Sequence, residues 1–292
     1  MHRFLELTLN GLTLGMVYAA VALGLVLIWR GTRIVNFAQG AMAMVSTYVA
    51  VSLLDRHAPY WAAFAAALAC GLVLGAVVER VLVRPVEAKA PINAVILTLG
   101  LLLLLEAVAA MVWGANYRAF PAPFSIAGFK VGRSSIPLSP FDVFVVAVVL
   151  ALMAALAALF RRTGLGLRMR AAAFSPEVAR LLGVRVGRMF TLGWALSSLS
   201  GALAGVLVAP TVLVSPNVMD NVLVLAFTAA VLGSLDSPVG ALVGGVVIGL
   251  ALSYVTGYLG SELQSLGALA ILVAVLMVRP EGLFGRSRAR RV

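Results

Sequence analysis

The sequence is poor in charge, histidine and cysteine, and each shortage removes a class of protein. Of 292 residues only 11% are charged while 62% are hydrophobic; a soluble domain is nearer a quarter charged. A globule surrounded by water is therefore excluded. The single cysteine, Cys70, lies inside an apolar run, so no disulfide or cysteine-based metal framework exists. It reads as a small helix-packing residue. His2 and His57 fall at terminal or loop positions, and no carboxylate pair sits at a usable spacing. No catalytic residues, metal ligands or chain-bound cofactor are expected, and an enzyme is set aside. A Gly-x-x-x-x-Gly-Lys-Ser/Thr loop is missing, so ATP is not bound here in that mode. Alternating apolar–polar segments of about ten residues are missing as well, which removes a membrane β-barrel.

What remains is long apolar helix. Apolar runs of about 20 residues, enough to cross a bilayer core of roughly 30 Å, recur along the chain. The fold class is all-α: a polytopic transmembrane bundle, residues 1–292 forming one membrane domain. Spans are expected at 7–29, 34–54, 60–83, 91–113, 141–160, 188–209 and 261–278. Region 221–256 is interrupted by "LGSLDSPVGALVGG", which a single straight helix would not choose. A short or broken helix, a turn near Ser234 to Pro238 and a second helix are expected there, giving about 8–9 membrane segments. That turn is either re-entrant or a plain connection between two spans; irregular backbone at membrane depth needs cover from protein or a water-filled cavity. Pairs such as Gly11/Gly15, Gly71/Gly75, Gly201/Gly205, Gly240/Gly244 and Gly245/Gly249 let helix backbones approach closely.

The net charge of +11 comes from arginines and lysines in short loops. This orients the chain in a membrane and does not indicate nucleic acid. Arg161, Arg162, Arg168, Arg170, Arg180, Arg185 and Arg188 place loop 161–188 on the cytoplasmic side. The tail arginines from Arg279 to Arg291 belong there too, as do Arg30, Arg33, Arg80, Arg84 and Lys89. Loop 114–140 is then external, with the N-terminus on that side, and "FSIAG" with "FKVGR" is a candidate strand pair within it.

The 171–188 stretch, "AAAFSPEVARLLGVRVGR", is the most water-compatible in the chain. Ser175 suits an N-cap, Pro176 the first helical position and Glu177 the positive end of the dipole. Val178, Leu181 and Leu182 form an apolar face, and Gly183 can take the left-handed stop. A helix of two turns is unstable alone in water. It needs a surface: a partner protein, or lipid headgroups against which its arginines would meet phosphate. Glu106 is the acid expected well inside a span, either functional or reaching interfacial water. Asn36 and Gln39 in "NFAQGA" are helix-capping and interhelical bonding residues, or they line a substrate path.

The 175–183 segment resembles the cytoplasmic coupling helix of ABC-importer permeases, with Glu177, Ala179 and Gly183 as its acid–Ala–Gly pattern. More specifically, the chain resembles the LivH-type permeases of branched-chain amino acid ABC importers. The resemblance runs through "NGLTLGMVYAAVALGLVLI" at 10–28, "IVNFAQGAMAM" at 34–44, "ERVLVRPV" at 79–86, "RRTGLGLRMRAAA" through "ARLLGV" at 161–184, "AFTAAVLGSLDSPVGALVGGVVIG" at 226–249 and "RPEGLFG" at 279–285. It implies an inner-membrane importer subunit. Its partners would be a second homologous permease, two cytoplasmic ATPase subunits that hold ATP-Mg, and an extracytoplasmic substrate-binding protein. It also implies that Ser175, Glu177, Ala179, Leu182 and Gly183 couple to the ATPase. The pathway would involve Asn36, Gln39, Gly233, Ser234, Asp236 and Ser237. Two departures stand out: Gln39 where the family usually has His, and Gly233-Ser234-Leu235-Asp236-Ser237 where it usually has Gly-Gly-x-Gly-Ser. Related permeases carry urea, short amides or aromatic acids, so those substrates are alternatives, as is a transporter working alone.

Overall fold

The computed structural model describes residues 2–87, 91–131, 134–135, 137–279 and 281–285. Lys89 and the arginines from 286 to 291 lie outside them. The helices in order are α1 His2–Thr32, α2 Gln39–Asp55, α3 Tyr60–Val78, α4 Arg84–Glu87, α5 Pro91–Trp113, α6 Pro140–Arg162, α7 Gly164–Phe174, α8 Pro176–Leu181, α9 Val186–Val208, α10 Asp220–Gly233, α11 Pro238–Tyr258 and α12 Gln264–Val278. Seven of the described helical stretches are long and apolar enough to cross a membrane. The helices α2 and α10, at 17 and 14 residues, are shorter.

The apolar pattern of α1 is continuous rather than one-sided, and the helix is correspondingly central: Met16 to Ile28 are buried on every face. It packs along α9 and most extensively along α11. Small residues permit this. A Cβ on Gly15 would lie 2.8 Å from the backbone of Gly245 and Val246, and one on Gly249 would lie 2.3 Å from Gly11 O. The contact of α3 with α9 is made in the same way: a Cβ on Gly75 would lie 2.4 Å from Trp194 O.

These contacts repeat. α10 packs against α11 and α12 as α2 packs against α3 and α5, and α1 meets α10 and α11 as α9 meets α2 and α3. Since α1 and α9 start at opposite ends of the bundle, the two sets are inverted copies, a frequent plan for transporters. In each set the chain dips back before its short helix. Gln39, at the start of α2, bonds Ser197 O, roughly 16 Å along α9 at 1.5 Å per residue. So α2 begins near mid-depth, not at the bundle end as the span expected at 34–54 implied. The start of α10 meets it there, because a Cβ on Gly40 would lie 3.2 Å from Met219 O.

Arg30, Arg33, Arg84 and the α6–α9 connection share one end of the bundle. At the other end Arg118 pairs with Asp55 at 3.0 Å, and its backbone exchanges two hydrogen bonds with Val214. Tyr60, Trp61, Phe64, Phe124 and Phe144 cluster at that end, as interfacial aromatics do. The small antiparallel pair in the 114–140 loop joins Lys130–Val131 to Ser134–Ser135. "FKVGR" thus supplies one strand, and its partner is Ser134–Ser135, not "FSIAG".

Candidate functional site

The 161–188 connection folds as two helices against the foot of α9. Thr163 caps α7, its Oγ1 accepting from Gly166 N at 3.0 Å. Gly166 makes the sharp exit from α6 possible, since a Cβ there would lie 2.2 Å from Leu159 O. Met169, Ala172, Ala179, Val186, Met189 and Phe190 then form a separate small core. Ser175 is the N-cap of α8 and Pro176 its first residue, but the Ser175 side chain makes no capping bond; the cap is positional. The stop at Gly183 is as expected. Its φ is +79°, Gly183 N donates to Arg180 O at 3.0 Å and Val184 N to Ala179 O at 2.9 Å, the paired bonds of a Schellman ending. Ala179 is buried, whereas Phe174, Val178, Leu181 and Leu182 are 91%, 53%, 87% and 76% exposed. Four large apolar side chains therefore stand uncovered on two short helices.

The loop is anchored by an ion pair that sequence reading missed. One turn of π-helix, Glu79–Val83, links α3 to α4. Glu79 is buried, with its side chain 1% exposed, and Arg84 Nη2 meets its Oε2 at 2.8 Å. Arg84 Nη2 also donates to Gly187 O at 2.8 Å, and Thr191 Oγ1 donates to Glu79 Oε2 at 2.7 Å. The foot of α3 is thus tied to the first turns of α9. "ERVLVRPV" carries these residues, but a separation of five is not one of the helical pair spacings, three and four.

Asn36 and Gln39 are fully buried. Asn36 Oδ1 accepts from Ala38 N at 3.1 Å, and Asn36 Nδ2 donates to Gln39 Oε1 at 3.1 Å. Gln39 Nε2 donates to Ser197 O at 2.8 Å, and Ser197 Oγ bonds Gly24 O at 2.8 Å. The Gln39 amide occupies a slot made by two glycines, as a Cβ on Gly24 or Gly201 would lie 2.7 or 2.6 Å from Nε2. The pair is buried at the crossing of α1, α2 and α9 and joins them. Gly233, Ser234, Asp236 and Ser237 are brought together elsewhere, in the turn between α10 and α11 at the basic end. Asp236 meets Arg33 at 2.6 Å, and Ser237 Oγ caps α11 by accepting from Gly240 N at 3.0 Å. This turn is a connection at the bundle end; the chain re-enters at 33–38 and 209–219 instead.

Ser234 holds φ +94°, a region glycine occupies without cost. The "RPEGLFG" segment docks on the same turn. Leu283 N donates to Leu232 O at 2.8 Å and Phe284 N to Gly233 O at 3.3 Å, so carbonyls left open at the end of α10 find donors. Gly282, at φ +77°, passes so close that a Cβ would lie 2.6 Å from Ser234 N. Glu106 has Asp220 as its neighbour, and its Oε1 has no partner among the described residues.

Apolar helices around two half-helices that meet head to head, with a loop at one end that leaves apolar side chains uncovered, define a multi-pass membrane transport protein. The match to the family described as branched-chain amino acid transport system / permease component spans residues 7–276, and the chain belongs to that family. It is a permease subunit of a transport system, not an enzyme. It is 30% identical over 302 residues to the high-affinity branched-chain amino acid transport system permease protein LivH of Escherichia coli K12, covering 99% of this chain and 98% of that one. It is 28% identical to the corresponding BraD protein of Pseudomonas aeruginosa, covering 100% and 99%. The Streptococcus pneumoniae PsaBC structure shares the fold, with a TM-score of 0.52 at 13% identity over 97% of this chain and 94% of that one.

Proposed function

We propose that this permease is the membrane subunit of an ATP-driven inner-membrane importer for branched-chain, hydrophobic amino acids. The observation that carries the proposal is the α7–α8 surface. Phe174, Val178, Leu181 and Leu182 are exposed beside a buried Ala179, on and next to a helix of six residues whose outer apolar face is covered by nothing among the described residues. That surface fits a groove on one of two cytoplasmic ATPase subunits holding ATP-Mg, the other being left to the second permease. A second homologous permease completes the pathway, and an extracytoplasmic binding protein delivers substrate. Ser175, Glu177, Ala179, Leu182 and Gly183 form the lever: closure of the ATPases displaces α8, and the Glu79–Arg84 tie passes the movement to α3 and α9. A switch of this kind requires contacts that differ between its two states.

The pathway residues are Asn36 and Gln39 at the centre, with Gly233, Ser234, Asp236 and Ser237 towards the cytoplasm. Half-helix N-termini near the bilayer midplane are suited to a substrate carboxylate, and α2 and α10 supply two. The similarity to LivH and BraD supports the substrate class.

The test is an affinity pull-down of tagged protein from its native membranes in mild detergent, with mass identification of partners and an ATPase assay. Two ATPases and a second permease should co-purify, and Gly183→Trp should lower ATPase association or uncouple hydrolysis from uptake. Purification alone with no ATPase, or normal coupled uptake by Gly183→Trp, would sink the reading.

A further inference from the structure

Two cavities meet at Arg30 and Arg170. The larger, about 760 Å³, lies between the end of α1, α7 and the first half of α9. Its wall sets Leu27, Phe160 and Met189 beside Arg30, Arg33 and Arg170, with Asp236 as its acid. The smaller, about 230 Å³, runs between α1, α6 and the start of α11. It is apolar along Leu23, Met153, Leu156 and Ala157, and holds Arg30, Arg161 and Arg170. Leu23 is roughly 10 Å from Arg30 along α1, and Met153 roughly 12 Å from Arg161 along α6. The apolar part therefore reaches towards hydrocarbon depth, and the charges sit at its interfacial end.

The charges are unbalanced. Asp236 is committed to Arg33 at 2.6 Å, while Arg30, Arg161 and Arg170 make no ion pair among the described residues. Like charges gathered in a half-enclosed site repel unless an anion joins them. Guanidinium forks match phosphate oxygens, and basic pockets between membrane helices suit anionic head groups. We propose that this groove binds an anionic phospholipid, with its phosphate between Arg30 and Arg170 and one acyl chain along α1 and α6. A lipid satisfies both halves of the site, whereas a free phosphate would leave the apolar groove uncovered. Because Arg170 belongs to α7 and Arg30 to α1, the bound lipid ties the docking loop to the bundle core.

The full-length protein, delipidated in mild detergent, is titrated with dioleoyl-phosphatidylglycerol or dioleoyl-phosphatidylcholine, and bound lipid is counted by native mass spectrometry. The expected result is a preference of about tenfold or more for the anionic lipid. Arg30→Gln with Arg170→Gln abolishes it. Arg180→Gln with Arg185→Gln, on the same loop but outside both cavities, retains it. Ala157→Trp fills the groove without changing charge and weakens phosphatidylglycerol binding. Glycerol phosphate, the head without its chains, does not displace the lipid. Equal binding of the two lipids overturns the proposal, as does equal loss in both arginine pairs, which marks diffuse attraction to a basic face. Displacement by glycerol phosphate or inorganic phosphate assigns the arginines to a soluble anion and also overturns it. If the Arg30/Arg170 variant does not fold, Ala157→Trp decides: undiminished phosphatidylglycerol binding with the groove filled rejects the lipid.

Discussion

Arg84 and Glu79 are five residues apart and yet meet fork to fork, with Nε at 3.1 Å from Oε1 and Nη2 at 2.8 Å from Oε2. On an α-helix five residues turn the side chains about 140° apart; the π turn at 79–83 brings them back onto one face. The same guanidinium reaches Gly187 O and Thr191 Oγ1 on α9. One irregular turn therefore joins two of the long helices next to the α7–α8 loop.

Arg84→Ala leaves the Glu79 carboxylate buried with Thr191 as its remaining partner. Because the Arg84 side chain is 38% exposed, solvent offsets part of the loss, and a cost of about 1–3 kcal/mol is expected. Thermal unfolding of purified protein in detergent should show the loss. Arg84→Lys should recover less than half of it, because an ammonium cannot reproduce the two-pronged contact. Unchanged stability in Arg84→Ala would reject the tie.

Ser234→Gly should stabilise the protein by about 1 kcal/mol, since a non-glycine residue held at positive φ stores strain of that order. Gly282→Ala should do the opposite, because both its φ and the approach of Ser234 N exclude a side chain. Paired unfolding curves of the two variants check the opposite signs.

Leu182→Asp changes an exposed residue, so folding and insertion should be normal. If α8 docks on the ATPase, affinity for that subunit should fall about tenfold or more, as for an apolar contact at the centre of an interface. Titration of ATPase onto detergent-solubilised permease gives the number. Affinity equal to that of the unaltered protein would remove α8 from the interface.

Gln39→Leu keeps much of the side-chain volume but loses the bonds to Ser197 O and Asn36. A cost of about 1–2 kcal/mol in stability is expected from the unpaired groups, again measured by thermal unfolding.

Apolar run length alone gave the helices, because a bilayer demands about 20 apolar residues whatever packs against them. The α8 helix and its end at Gly183 were legible for a different reason: Pro176 and Gly183 act through backbone geometry, which is local. The contacts that join distant segments were not legible. Nothing in "NFAQG" says that Gln39 will sit between Gly24 and Gly201, since that slot exists only once α1 and α9 cross. Glu79 gives no sign of its role in the sequence because its partner lies at a spacing that a π turn alone makes useful. Glu106 drew attention as a lone acid, and its neighbour Asp220 is placed beside it by the dip at 209–219, not by the sequence order.

The bonds from Leu283 and Phe284 to Leu232 and Gly233 have a consequence for biosynthesis. The α10–α11 turn is made and inserted well before the segment that completes it leaves the ribosome. Until then the carbonyls of Leu232 and Gly233 lack these two donors, and Ser234 carries its unfavourable φ without the Gly282 backbone against it. A chain cut after residue 279 would keep α1 to α12 and still hold that turn open. The proteases that survey the membrane would meet a bundle with one unlatched turn, whose closure waits for Gly282, Leu283 and Phe284.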